Sequence, residues 1–226
     1  VLRDLGCTVV LPELFGRAGR DVHPDAHGRL GTVATGARAA ARICVSREFS
    51  LFATGRTSPV VPWLRALARH EHERCGGPGV GAIGMCLTGG FALAMATDES
   101  VLAPVLSQPS LPFAVLPGRA RAIDVSESDL ALVQARCARG LEVMGLRFRG
   151  DRLVPEARFA YLRELLGDAF IGIELPDESA NPDSMLPRPH SVLTEDLRDE
   201  PGQPTREAYD RVIDFFTAKL GLQPTI

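Results

Sequence analysis

Short apolar runs alternate with amphipathic segments along most of this chain. The apolar runs are rich in small and β-branched residues, end at turn-forming residues, and predict buried strands at residues 7–11, 80–84, 101–106, 141–148 and 169–175. The amphipathic segments have helical spacing and predict helices at residues 37–53, 57–75, 87–97, 126–138, 155–167 and 205–220. This alternation predicts βαβ units, and therefore an α/β fold with a doubly wound, mostly parallel sheet and helices on both faces.

Three polar stretches interrupt the alternation, at residues 16–36, 107–118 and 176–203. We interpret them as surface loops, because they lack apolar periodicity and are rich in Gly, Pro and charged residues. The second and third loops are candidates for the walls of a ligand cleft. The chain contains no internal repeat, heptad run or low-complexity segment, so residues 1–226 are predicted to form one domain.

The composition argues against several classes of partner. The formal net charge is −3 and the arginines are scattered among acidic residues, which predicts no basic surface for nucleic acid or an anionic membrane. No apolar run approaches the roughly 18 residues of a membrane-spanning helix. The five cysteines include no Cys-x-x-Cys pair, which indicates reduced thiols rather than a disulfide framework or a zinc site. Reduced thiols in turn predict a cytoplasmic location.

The segment at residues 84–90 carries the strongest chemical signal. It reads Gly-Met-Cys-Leu-Thr-Gly-Gly and lies between a short small-residue strand and a helix. A strand that turns sharply into a helix, with small residues around the turn, presents a nucleophile at its tip, and this predicts Cys86 as the nucleophile. A helix N-terminus and a nearby histidine lower a thiol pKa, and the backbone N–H of Leu87 is placed to stabilise an oxyanion. The alternative is that Cys86 is a small buried apolar residue, as free cysteines often are.

An acid and a histidine follow Cys86 in a characteristic order. Asp151 comes directly after the predicted strand 141–148, and His190 lies in the loop beyond the next strand. The order nucleophile, acid, histidine is typical of α/β-hydrolases. Glu174 and Asp177, at the end of the strand 169–175, are alternative acids, and Asp151 also fits an ordinary turn residue, since Gly-Asp is a frequent turn dipeptide.

The position of each histidine favours His190 as the base. His23 and His27 precede the nucleophile in a polar loop, and His70 and His72 are two residues apart on a predicted helix, so their side chains point in different directions. Neither pair has the setting of a metal site, and no metal ion is predicted. His190 alone follows the acid, although a solvated loop histidine is the alternative interpretation.

These residues resemble the dienelactone hydrolase family, whose nucleophile motif reads Gly-x-Cys-x-Gly-Gly. Residues 84–90 match this motif except for one extra residue, Thr88. The resemblance also covers residues 5–16, 150–151 and 190–191, and so extends thinly over most of the chain. It implies an α/β-hydrolase fold and hydrolysis of a small cyclic ester, without a metal or organic cofactor. The three residues themselves predict hydrolysis of a carboxylic ester or lactone through a thioacyl-enzyme.

Two features depart from the family pattern. Type members have an arginine shortly after the histidine to bind a substrate carboxylate, whereas this chain has Thr194, which cannot form a bidentate ion pair. This argues against a dienelactone as the substrate, and Arg47 is a weaker candidate for the family's other carboxylate-binding arginine. The family also has a central strand, with a second oxyanion donor, that would precede residue 1. We therefore expect the sheet to lack its N-terminal strands and the natural protein to have roughly 50 or more further residues there.

Two other functions fit parts of the pattern. A non-catalytic ligand-binding protein on the same scaffold is one, because a fold alone does not guarantee activity. A glutamine amidotransferase-like enzyme is the other, because it also uses a Gly-x-Cys-x-Gly turn. The second is disfavoured because such enzymes have His and Glu almost adjacent, and His190 has no Glu two residues further on.

Overall fold

The structure is a computed structural model that describes residues 1–14, 55–114 and 118–223. Its centre is a four-stranded, all-parallel sheet in the sequential order β1-β2-β3-β4. The strands are β1 (Val80–Met85), β2 (Val101–Ser107), β3 (Val143–Phe148) and β4 (Phe170–Leu175). These four strands confirm the sequence predictions to within two residues at each end.

In the described ranges, five helices flank the strands close to the positions that the amphipathic pattern predicts. They are α1 (Val61–Cys75), α2 (Gly89–Met95), α3 (Glu127–Cys137), α4 (Glu156–Leu166) and α5 (Pro204–Leu220). Helix α3 begins where the Ser126 hydroxyl accepts the Asp129 N–H, and α4 ends at Gly167, whose φ of 57° suits glycine. Single 3₁₀ turns occur at Cys86–Thr88, Arg119–Arg121, Gly167–Ala169 and Asp177–Ser179.

Helices cover both faces of the sheet, as the sequence predicts for an α/β fold. On one face, α1 to α4 form a core that includes Phe91, Val133 and Phe159. On the other face, α5 packs Val212 and its neighbouring phenylalanines against β2, β3 and β4. Every residue of β3 is buried, as expected for a parallel strand with helices on both sides.

The prediction of a strand at residues 7–11 is wrong. This segment is irregular and largely exposed, and Leu11 is 88% exposed. An apolar run becomes a strand only when a neighbour accepts its backbone hydrogen bonds, and no described strand lies beside it. Within the described residues, β1 also pairs on one side only, and its Ile83 and Met85 are exposed.

The predicted start of the first described helix is also displaced. The sequence places it at residues 57–59, but α1 begins at Val61 and has no side-chain cap. The Thr57 hydroxyl instead bonds to Asp129 and accepts the Ser126 N–H at 3.0 Å, because a long-range partner at the start of α3 competes for it. The predicted loop 16–36, the helix 37–53 and Arg47 lie outside the described residues. No helix in the described ranges combines the length and apolarity that a membrane span requires.

Candidate active site

The candidate residues meet at one edge of the sheet. Cys86 directly follows β1, the turn at Gln108 follows β2, Asp151 lies three residues after β3, and His190 lies in the loop after β4. Parallel strands share the edge at which their carboxyl ends meet, and ligands of open α/β sheets bind there. The sheet order alone therefore brings together residues that are more than 100 positions apart.

Cys86 occupies a strained turn between β1 and α2. Its φ is +53°, in the left-handed region that few non-glycine residues adopt. Thr88 holds this turn closed, because its hydroxyl accepts the Met85 N–H at 3.0 Å and donates to the Met85 carbonyl at 2.9 Å. A Cβ at Gly84 would overlap the Thr88 carbonyl oxygen, so glycine is required two residues before the cysteine. Thr88, the extra residue in the motif, therefore stabilises the turn through two hydrogen bonds to Met85.

Gly89 and Gly90 permit close packing of the start of α2 against residues of two loops. A Cβ at Gly89 would overlap Pro109, in the turn after β2, and a Cβ at Gly90 would overlap the carboxylate of Asp124. The start of α2 therefore packs against these loops as well as against Gly84 of β1. This approach brings the turn after β2 to the cysteine.

Asp151 orients the ring of His190. Its Oδ2 lies 2.7 Å from His190 Nδ1, and its Oδ1 accepts the Leu153 N–H at 2.9 Å. Asp151 is only 5% exposed, and these two donors rather than solvent fix the position of its carboxylate. A carboxylate acceptor places the proton on Nδ1 and leaves Nε2 for the opposite side of the ring.

The loop that carries His190 is held by Asp196, which the sequence did not identify. The buried Asp196 carboxylate accepts the backbone N–H groups of His190 at 2.8 Å and Ser191 at 2.7 Å. Asp196 follows the histidine and so cannot be the acid of the expected order, and no local pattern shows that it folds back onto the loop. It fixes the backbone from which the imidazole projects.

The alternative acids do not contact His190. Glu174 forms ion pairs with Arg147, at 2.8 Å, and with Arg163. Asp177 accepts the Gly150 N–H at 2.7 Å and so supports the loop of Asp151 rather than replacing it.

The Cys86 sulfur and the His190 imidazole shift each other's pKa. Burial by itself raises the pKa of Cys86, but interactions with His190, the Ser110 hydroxyl and the Leu87 N–H outweigh it and lower the pKa below its ordinary value of 9.0. Burial lowers the pKa of His190, but hydrogen bonding to Asp151 and Cys86 raises it to about 10. His190 Nε2 is buried and has no partner of good hydrogen-bond geometry in the described part of the chain. The ring and the sulfur therefore influence one another without a well-formed hydrogen bond, and catalytic hydrogen bonds often tighten only when substrate binds.

A further hydroxyl, missed by the sequence reasoning, contacts the sulfur. Ser110 is fully buried, its Oγ lies 3.5 Å from Cys86 Sγ, and its N–H donates to the Cys86 carbonyl at 3.0 Å. Its position in the loop directly after β2 was a usable signal, since that loop must reach the same sheet edge. Serine is so common in loops that the signal was not specific.

The remaining candidates add no residue to the site that the described part of the chain forms. Arg47, His23 and His27 are outside the described residues. The Thr194 hydroxyl lies 2.6 Å from that of Ser191, and His72 Nε2 lies 3.1 Å from the Gly77 carbonyl oxygen at the end of α1. Among the residues that the structure describes, no group of three or more His, Cys, Asp and Glu side chains is arranged to hold a metal ion.

Comparison with known proteins adds no relative. A functional assignment for this chain therefore depends on the chemistry of its own residues. No protein-family model, curated protein or solved structure matches it.

Proposed function

We propose that this protein is a hydrolase of small carboxylic esters or lactones with Cys86 as its nucleophile, similar to dienelactone hydrolases. The observation that carries the proposal is the placement of His190, bonded to Asp151 through Nδ1 at 2.7 Å and interacting with the Cys86 sulfur on its other side. A nucleophile, a base and an orienting acid in this relation form the arrangement used for covalent acyl transfer. The parallel sheet with helices on both faces is compatible with an α/β-hydrolase fold.

In the proposed acylation, His190 Nε2 takes the thiol proton and the Cys86 thiolate attacks the substrate carbonyl carbon. A carbon–sulfur bond forms as the carbonyl electron pair moves onto oxygen, where the Leu87 N–H stabilises it. The oxyanion collapses, the ester carbon–oxygen bond breaks, and the leaving alkoxide takes the proton from His190. Asp151 keeps the imidazole in one tautomer throughout.

In the proposed deacylation, His190 removes a proton from water, which attacks the thioester carbon. The carbon–sulfur bond breaks, the carboxylic acid leaves, and the electron pair returns to the sulfur of Cys86. The raised pKa of His190 and the lowered pKa of Cys86 favour the thiolate–imidazolium pair with which the cycle restarts.

The proposed substrate is a neutral ester or lactone rather than a dienelactone carboxylate. Thr194 stands where the family has an arginine, and its hydroxyl already lies 2.6 Å from the Ser191 hydroxyl. A threonine offers a single hydroxyl where an arginine offers a charged, bidentate donor. A cytoplasmic location is proposed on the grounds of the cysteine pattern alone.

The test measures hydrolysis of p-nitrophenyl acetate together with alkylation by iodoacetamide, with mass spectrometry to locate each labelled cysteine. We expect Cys86 to react fastest, Cys86→Ala to abolish hydrolysis, and Asp151→Asn to slow it by about 10²- to 10⁴-fold. Cys137→Ala is the matched control, since burial raises the pKa of that half-buried thiol and its loss leaves the rate unchanged. Uniform labelling of the cysteines with no ester hydrolysis would refute the proposal. A fast Cys86 without hydrolysis of any ester would favour a ligand-binding protein instead.

A further inference from the structure

The turn after β2 is fixed to three other parts of the molecule. Gln108 donates its N–H to a carbonyl of β3 at 2.7 Å, the Pro109 carbonyl accepts from Arg158 at 2.7 Å, and Ser110 donates its N–H to the Cys86 carbonyl at 3.0 Å. A hydroxyl carried by a turn that is held at three successive residues has little positional freedom. The Ser110 side chain is therefore positioned before any substrate arrives.

Arg158 extends this support to the loop of the acid. The arginine is fully buried on α4 and also donates to the carbonyls of Ala122 and Pro112, each at 2.6 Å, and to that of Leu153 at 3.4 Å. Leu153 is the residue whose N–H binds Asp151. One guanidinium thus links the loop of the acid to the turn of the hydroxyl, so that the two cannot shift independently.

The Ser110 hydroxyl has two acceptors and one proton. Its Oγ lies 3.5 Å from Cys86 Sγ and 3.1 Å from the carbonyl oxygen of Gln108. A hydroxyl can donate to one acceptor at a time. A thiolate attracts the proton more strongly than a neutral carbonyl, because hydrogen bonds to charged groups are the stronger ones. Once the sulfur is acylated it is neutral, and the Gln108 carbonyl becomes the better acceptor.

We propose that Ser110 is a further catalytic residue, whose hydroxyl donates to the Cys86 sulfur whenever that sulfur is a thiolate and turns to the Gln108 carbonyl when it is acylated. The inference rests on the proposed function and deepens it. In acylation the thiol proton goes to His190 and the Ser110 proton stays on its own oxygen. In deacylation the carbon–sulfur bond breaks, the electron pair returns to sulfur, and the same O–H stabilises the departing thiolate.

The alternative is a structural role, in which the hydroxyl serves only to bind the Gln108 carbonyl. The two roles differ in one measurable property. A donor to the thiolate changes the pH at which Cys86 ionises, whereas a bond within the turn changes only stability. Among the described residues, the titratable group that faces the sulfur is His190, with Asp151 behind it, and both stay in place when Ser110 is replaced.

The experiment measures the rate of Cys86 alkylation by iodoacetamide between pH 5 and 10, on the full chain, for Ser110→Ala, Ser110→Gly and Ser110→Thr. Alanine and glycine remove the hydroxyl without adding volume, and threonine keeps it. We expect the pH midpoint of alkylation to rise by about one unit with alanine and glycine, so that alkylation at pH values below the wild-type midpoint slows about tenfold, and to stay unchanged with threonine. Ser179→Ala is the matched control. That buried hydroxyl also donates to a backbone carbonyl, that of Pro176 at 2.6 Å, but it is not a partner of the Cys86 sulfur.

The outcomes separate this inference from the proposed function. Circular dichroism establishes which variants are folded, and either folded variant without the hydroxyl decides the question. A wild-type midpoint below 9 with an unshifted alanine or glycine variant would overturn the role of Ser110 and leave the hydrolase proposal standing. A wild-type midpoint at the ordinary thiol value, together with no hydrolysis of p-nitrophenyl acetate, would overturn both. A raised midpoint with about tenfold lower kcat and unchanged KM on p-nitrophenyl acetate supports the inference.

Discussion

Asp124 offers a sharp test of the electrostatics behind the candidate site. Its carboxylate lies fully buried against Gly90 of α2, and neither oxygen accepts a hydrogen bond from another residue of the described segments. Burial raises its pKa from the ordinary 3.8 to about 7, against the opposing charge of Arg158. The folded protein therefore holds a proton on Asp124 over a pH range in which the unfolded chain has released it.

The sign and size of the effect follow from linkage. Between pH 3.8 and about 7 the folded state binds more protons than the unfolded state, so the free energy of unfolding falls as the pH rises. Each pKa unit corresponds to about 1.4 kcal/mol. The penalty is absent below pH 3.8, is about 4 kcal/mol above pH 7, and changes by about 3 kcal/mol between pH 5 and pH 8.

Asp124→Asn removes the titration and keeps the shape of the side chain. We expect the free energy of unfolding of the wild type to fall, relative to that of the variant, by about 3 kcal/mol between pH 5 and pH 8. Urea denaturation at four pH values measures this difference by linear extrapolation. Because all other titrating groups are common to both proteins, their contributions cancel.

Asp168→Asn is the control, since it makes the same substitution at an exposed position. A curve for Asp124→Asn that runs parallel to the wild type would refute the reasoning, because it would show that the Asp124 carboxylate does not titrate in this window. It would also mean that the space beside Gly90 is better solvated than the structure shows.

Three further predictions concern the site. Thr88→Val keeps the side-chain volume but removes both hydrogen bonds to Met85, so we expect the free energy of unfolding to fall by about 2 kcal/mol in urea denaturation and Cys86 to be alkylated more slowly. A variant with wild-type stability and reactivity would show that the turn does not depend on these hydrogen bonds. Asp196→Asn weakens two charge-assisted hydrogen bonds that hold the histidine loop, so we expect kcat on p-nitrophenyl acetate to fall about tenfold with the overall fold intact by circular dichroism, and an unchanged kcat would argue against a positioning role. His190→Asn removes the strongest interaction that lowers the Cys86 pKa, so the midpoint of iodoacetamide alkylation is expected to rise toward 9.0, and a stationary midpoint would show that the imidazole does not act on the sulfur.

The sequence was sufficient for the features that neighbouring residues encode. The four described strands and five described helices follow from periodicity and turn residues, because these elements are stabilised by the burial of one local stripe or run. The turn at Cys86 follows from its glycines and its place between a strand and a helix. The prediction of His190 as the base followed from chain order, and the structure places this residue beside Asp151.

Other features depended on contacts between distant parts of the chain. The sequence favoured Asp151 as the acid but left Glu174 open, and only the packing of loops at the sheet edge pairs Glu174 with two arginines instead of His190. The same packing brought Ser110 to the sulfur and Asp196 to the histidine loop.

At residues 7–11 the sequence predicts an element that the tertiary structure does not form. The apolar, β-branched pattern of this segment is that of a strand, yet the segment lies exposed and unpaired. Local pattern determines what conformation a segment favours, and it did so for most of this protein. Which residues meet is decided by strand register and loop packing, because hydrogen bonds and buried contacts need a partner that the neighbouring sequence does not specify.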